Sequence, residues 1–235
     1  DIMTALADAG QGNTYFVEDA RDLPRIFGAE LGDALNVAAT DIEIIVKPRD
    51  GVRIIRSIGR DAEINDGRAR FTLPQVYGGL DKFALVEVQA PKGSAGDARE
   101  LIDVVVNYKR VGEDKLRQQQ VTVPIAYTER EAEVVENARQ DVAQNVMVNE
   151  IAEAKDEAIA YSDAGDRNRA GESLKQASDK LQSRYGLFGS SFVSEPTAYL
   201  EEEAKEVASE GVPNAKRKGY RAENAQTVNQ QTYQQ

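Results

Sequence analysis

The sequence predicts an α+β protein whose parts follow one another along the chain. Residues 1–40 read as the helix-strand-helix end of an α/β domain, 41–128 as an antiparallel β-sandwich, and 129–209 as a helical hairpin or bundle. Residues 210–235 read as a basic and then Gln/Asn-rich tail that is poorly ordered. Three observations carry this division: apolar spacing changes from helical to alternating at Asp41, it changes back at Thr128, and hydrophobicity falls sharply after Gly211.

In the first part, Ile2, Leu6 and Ala9 recur at helical spacing, and Gly10, Gly12 and Asn13 supply the turn conformations that stop a helix. Thr14-Tyr15-Phe16-Val17 is a short β-branched and aromatic run. Asp19 is suited to cap the next helix, whose apolar side reads Leu23, Ile26, Phe27, Leu31 and Leu35.

This order, with Leu23-Pro24-Arg25-Ile26-Phe27 on the acidic-capped helix, resembles the last unit of a bacterial von Willebrand factor type A (VWA) domain from Asp1 to near Asn36. The strand-rich and helical sequence that follows also resembles the C-terminal part of such proteins. The resemblance implies a metal site built from an Asp-x-Ser-x-Ser loop with a Thr and an Asp from later loops. None of these can be placed here, so no catalytic, cofactor-binding or metal-ligating residue is carried over. What the resemblance implies is a divalent cation, Mg²⁺ or Ca²⁺, in the half of the VWA domain that this chain lacks. It also implies two partners, a protein ligand and the remainder of the same domain. A lone strand between two helices cannot bury itself, so the expected state is a chain cut from a longer protein.

At 235 residues and 41% hydrophobic content, the chain has enough apolar material for one large or two to three small cores. It has no cysteine and no histidine, which removes disulfides, thiolate and imidazole metal sites, Cys nucleophiles and any His-based triad. A carboxylate-only Ca²⁺ or Mg²⁺ site stays open, and the lack of cysteine is compatible with either redox compartment, a periplasmic or cell-surface setting being favoured over a cytoplasmic one. The net charge of -11 is concentrated in 129–209, with 18 acidic against 9 basic residues. That balance disfavours nucleic acid and anionic membranes, whose binding draws on clustered Lys and Arg. The one basic cluster, Lys216-Arg217-Lys218 with Arg221, is too short to outweigh it, and no run approaches the roughly 18 apolar residues of a membrane span.

From Asp41 the spacing is two: Ile42, Ile44 and Val46 alternate with polar neighbours, and Pro48-Arg49-Asp50-Gly51 turns into Val52 to Arg56. Asn65-Asp66-Gly67 is a hairpin signal, and further runs lie at 68–73, 82–90, 101–110 and 121–127. Seven short strands with regular turns predict the sandwich, with Pro124 on an edge or at a bulge. Arg53, Arg56, Arg60, Arg68 and Arg70 are close in sequence; the expected role is a solvated strand face, the other a basic face that docks the acidic helices.

Thr128-Glu129-Arg130-Glu131 has the form of a capping box with Tyr127 placed to staple the first turn, and a helix without Pro or Gly is expected to run to Ser162 with a stagger around Met147 to Asn149. Asp166 is expected to cap the next helix, with the stripe Ala170, Leu174, Ala177, Leu181 and Tyr185. The spacing of Ala158, Tyr161, Ala170, Leu174 and Ala177 is similar to one tetratricopeptide repeat over 151–184, but a single copy builds no repeat groove and a plain hairpin is the expectation. Leu187, Phe188 and Phe192 sit in a hinge and are expected to plug a core. Pro196 is expected to open a short helix through Ala208.

Asp163, Asp166 and Asn168 have oxygen donors at near-calcium-loop spacing but lack the closing Glu, Ala177 standing there, so turn and cap roles are expected. Glu201-Glu202-Glu203 reads as a solvated helix start, and Gly10-x-Gly12 follows a helix and precedes a strand, the reverse of the dinucleotide order. The expected function is therefore a non-catalytic interaction or scaffold module. The other classes are a carboxylate-based hydrolase and a sugar-binding sandwich, the latter needing exposed aromatics from among Tyr77, Phe83, Tyr108 and Tyr127.

Overall fold

A computed structural model describes residues 19–34 and 36–230 together with Ile2, Leu6, Tyr15 and Val17, and only the backbone of 29–34. The chain divides into two units, one from Val17 to Glu129 and one from Arg130 onward to which Ile2, Leu6 and Tyr15 also belong. In the first unit, the Asp19 carboxylate accepts the Arg21 amide at 2.9 Å and caps a 3-10 turn, Ala20–Asp22, that runs into helix α1 (Leu23–Ala34). On α1, Leu23 and Phe27 are exposed and Ile26 is half-buried. The Leu31 side chain, Leu35, the turn at 10–13 and most of the strand expected at 14–17 lie outside the described residues. Tyr15 and Val17 have irregular backbone, while Ile2 and Leu6 are helical.

Seven strands follow among the described residues: β1 (Val37–Pro48), β2 (Arg53–Ile58), β3 (Glu63–Asn65), β4 (Arg68–Tyr77), β5 (Leu85–Gln89), β6 (Ala98–Arg110) and β7 (Leu116–Ala126). All pairings are antiparallel, in a five-stranded sheet of order β3-β4-β1-β6-β7 and a two-stranded sheet β2-β5. The period of two does the sorting. On β4, Ala69, Phe71 and Leu73 are buried while Arg68, Arg70 and Thr72 face out, so one face of the strand is available for packing. Those three join Ile42 and Val46 of β1 and Ile102 of β6, with Ile54 of β2 and Val86 and Val88 of β5 packed against them, in one apolar cluster. At the β3-β4 turn Asp66 and Gly67 have φ of 51° and 71°, both left-handed, the requirement of a type I′ turn. Pro124 lies on the edge strand β7 opposite Glu100, beside a register shift between Glu100 and Ile102, where a missing amide costs least.

The second unit contains α2 (Glu131–Asn137), α3 (Gln140–Asp163), α4 (Arg167–Tyr185), a 3-10 turn at Gly186–Phe188, α5 (Ser190–Glu210) and α6 (Asn214–Asn229). Three boundaries depart from the sequence expectation. The long first helix begins at Glu131 after Arg130, not at Thr128, and breaks at Ala138, whose ψ of 140° is extended. The Asn137 side chain donates to the Glu133 carbonyl at 2.8 Å before the break and Arg139 pairs with Asp141 just after it, so local side-chain bonds compete with the helix ladder. α5 begins at Ser190 with Pro196 inside it, because burial of Val193 and partial burial of Phe192 draw an earlier turn onto the core. The Thr197 hydroxyl donates to the Val193 carbonyl at 2.8 Å in the turn that contains the proline. Beyond Gly211, where a poorly ordered tail is expected, the structure has helix α6, with Tyr220 and Asn224 buried; 231–235 lie outside the described residues.

The helical core is built from Ala158 and Ile159 of α3, Ala170, Leu174 and Leu181 of α4, and Val193, Leu200, Ala204 and Val207 of α5. Phe188 and Phe192 plug its end beside Tyr185, with ring centroids 5.3 and 6.3 Å apart. The Asp166 carboxylate caps α4 by accepting the Arg169 amide at 3.0 Å. Gly171 sets the spacing of α4 and α5. A Cβ there would lie 2.7 Å from both the Ala204 carbonyl oxygen and the Ala208 Cβ, and neither can swing away. Gly171→Ala is therefore expected to destabilise the helical unit by about 1–3 kcal/mol, read as a lowered urea midpoint of the helical circular dichroism.

Asp103 on β6 accepts the Thr122 hydroxyl at 2.6 Å and the Arg49 guanidinium at 2.8 Å, which together hold its carboxyl below the ordinary carboxylate value. A depressed pKa contributes stability that is present above the unfolded value of about 4 and lost as pH falls through the folded one. Between neutral pH and about pH 3, the strand unit of Asp103→Asn is expected to lose less melting temperature than the unaltered protein, in paired thermal scans.

Candidate functional site

A seam of charged and polar side chains joins α6 to α3 and α5 within the helical unit. At its centre is Lys155 of α3, whose side chain is only 9% exposed. Burying an ammonium is costly unless it is paired. Here Nζ lies 2.8 Å from Glu223 Oε2 of α6 and 5.0 and 4.9 Å from the ring centroids of Tyr199 on α5 and Tyr220 on α6. One cation thus meets a carboxylate and two aromatic rings, each from a helix other than its own. Burial, then the charges of Glu203 and Glu223, push the Tyr199 phenol up to about 12, so it remains neutral beside the ammonium.

The seam continues toward the start of α6. Lys216 reaches Glu203 at 3.0 Å and Glu206 at 2.7 Å, both on α5. Burial pulls its ammonium down, and the Glu206 and Glu203 hydrogen bonds outweigh that and hold it above its ordinary value. Arg217 pairs with Asp163 at the end of α3, and Arg221 approaches the same carboxylate at 4.0 Å. Asn224 Nδ2 donates to the Ala152 carbonyl at 2.9 Å, and the Ser162 hydroxyl accepts the Val212 amide at 2.8 Å in the three-residue connection from α5. Such a surface recognises and holds a helix.

Residues singled out in the sequence divide clearly. Asp163 and Asp166 do not converge: the first pairs with α6 and the second caps α4. Glu201-Glu202-Glu203 lie in the middle of α5 rather than at a helix start, and Glu203 faces Lys216. On the strands, Arg53 hydrogen-bonds Gln89, Arg56 pairs with Glu87 at 3.0 Å and Arg70 with Glu43 at 2.9 Å, so cross-strand neighbours claim them. Among the aromatics, the Tyr127 hydroxyl donates to the Pro91 carbonyl and its ring packs on Gly93, while Tyr108 packs against the strand core. Among the described residues no group of three or more acidic side chains converges in a way that would hold a metal ion. Also among them, no helix is long and apolar enough to cross a membrane. Lys155 and Tyr220 were not marked by the sequence. The signal available for α6 was the spacing of Lys216, Tyr220 and Glu223, a helical stripe made of polar groups.

No protein-family model matches the sequence, and no curated protein does. Similar solved structures include the following two. The von Willebrand factor type A from Catenulispora acidiphila aligns with a TM-score of 0.54 at 15% identity, covering 92% of this chain and 52% of that one. The ArnB paralog VWA2 from Sulfolobus acidocaldarius aligns with a TM-score of 0.48 at 18% identity, covering 97% and 51%. The chain spans about half the length of either. The first likeness is one of fold: mixed helices and sheet, as found in that VWA protein.

The geometry at Lys155 separates two contributions. Lys155→Met, which removes the charge from between two rings, is expected to cost about 1–2 kcal/mol. Glu223→Gln is expected to cost under about 1 kcal/mol, because that side chain is 63% exposed and already solvated. Equal losses for the two variants in urea titrations would show that the ion pair, not the aromatic pair, carries the contact.

Proposed function

We propose that this chain is a non-catalytic, protein-interaction part of a VWA-type protein. In this reading the strands of 41–128 form an antiparallel sandwich and the helices of 129–209 a bundle. Together they support and position a domain that grips a protein ligand through a divalent cation, Mg²⁺ or Ca²⁺. That cation would be held by residues outside this sequence. The fold likeness to a VWA protein across 92% of the chain supports the reading, as does the alignment with only 52% of that protein's length.

The observation that carries it is on α1. Leu23 and Phe27 fall on one side of an amphipathic helix and are 38% and 61% exposed, an apolar side with the character of one that covers a sheet. The partner in this proposal is the remainder of the same domain.

If so, Phe27 is covered in a longer protein and bare in this chain. Phe27→Ala is expected to cost about 3 kcal/mol in the longer protein and within about 0.5 kcal/mol in the 235-residue chain. Equal effects in both would overturn the proposal. So would an intact mass of 25.8 kDa for the protein isolated from its source.

A further inference from the structure

We infer that α6 is a releasable strap, a helix that exists only while docked on α3 and α5 and that ionic strength detaches before the α3–α5 core unfolds. The sequence of α6 argues against a helix stable by itself. Its N-cap is Pro213, which makes no side-chain capping bond, and Lys216 and Arg217 place positive charge in the first turn, the end where the helix dipole is already positive. Gly219 in its middle costs helix propensity, and 16 residues are near the lower limit at which isolated helices persist.

What holds α6 is mostly electrostatic. Tyr220 and Asn224 are buried, and further anchors include Lys216 on Glu203 and Glu206, Arg217 and Arg221 on Asp163, and Glu223 on Lys155. By contrast α4 and α5 bury Leu174, Leu181, Leu200 and Val207 against each other and α3. Screening therefore acts on α6 selectively, through Arg217 and Arg221 on Asp163 and Lys216 on Glu206, whose carboxylates are 42% and 45% exposed, while apolar burial stays in place. Val212 is buried and its amide is held by the Ser162 hydroxyl, which pins the end of α5, so α6 would pivot at Pro213. Release would uncover an acidic groove formed by Asp163, Glu203 and Glu206, with Lys155 and Tyr199 on its floor.

Hydrogen exchange on the full chain tests this at about 0.1 M and about 1 M sodium chloride, over which the Debye length falls from about 10 Å to about 3 Å. Amides of 218–229 are expected to exchange about tenfold faster at the higher salt, while those of 171–184 change by less than about twofold. Lys216→Gln with Arg217→Gln is expected to bring the α6 rates at low salt to the high-salt value with the α4 rates unchanged. A second variant works in the opposite direction. Gly219→Ala meets no atom within 4 Å of its new Cβ and is expected to slow α6 exchange about fivefold. Rates for α6 that track those of α4 at both salts, or that ignore salt and both variants, would overturn the strap.

Discussion

The close approach of α4 and α5 at Gly171 is the constraint on which the helical unit depends. With no side chain at Gly171, the Ala204 to Ala208 turn of α5 comes to the distance at which Leu174, Leu200 and Val207 close over Ala158 and Ala170. That contact fixes where along α5 the next turns point. Glu203 and Glu206 then face Lys216, and Tyr199 faces Lys155. An apolar contact with almost no tolerance thus positions a polar one with a good deal of it, since long Lys, Arg and Glu side chains can follow shifts of a few tenths of an ångström.

The two units solve the burial problem differently. In the strand unit, alternation along β1, β4 and β6 gives one apolar face per sheet, and polar groups on the outer face find cross-strand partners such as Arg70 with Glu43 and Thr122 with Asp103. In the helical unit the apolar stripe serves α3, α4 and α5 only. α6 is added by charge, and the buried Lys155 is tolerated because a carboxylate and two rings replace its water. The exposed side of α1 is a third case, an apolar stripe with Leu23 and Phe27 open among the described residues.

Sequence alone determined the elements whose cause is local. The type I′ turn at Asp66-Gly67, the Asp19 and Asp166 caps, the edge position of Pro124 and the seven strands each follow from dihedral preference or a period of two within a few residues. The alternation, the small-residue positions Ala158 and Ala170, and the apolar Leu174 likewise named their core. Tertiary structure decided the rest. Pro196 entered a helix because burying Val193 outweighs one lost amide bond, and the break at Ala138 turned on side-chain bonds of Asn137 and Arg139 that no periodicity records. The candidate site was almost illegible for the same reason. Lys155, Tyr199 and Tyr220 come together from three helices, and α6 carries a polar stripe that hydrophobic spacing reads as a tail. A helix whose partner is a groove formed by Asp163, Glu203 and Glu206, earlier in the chain, becomes a helix only when that groove has folded.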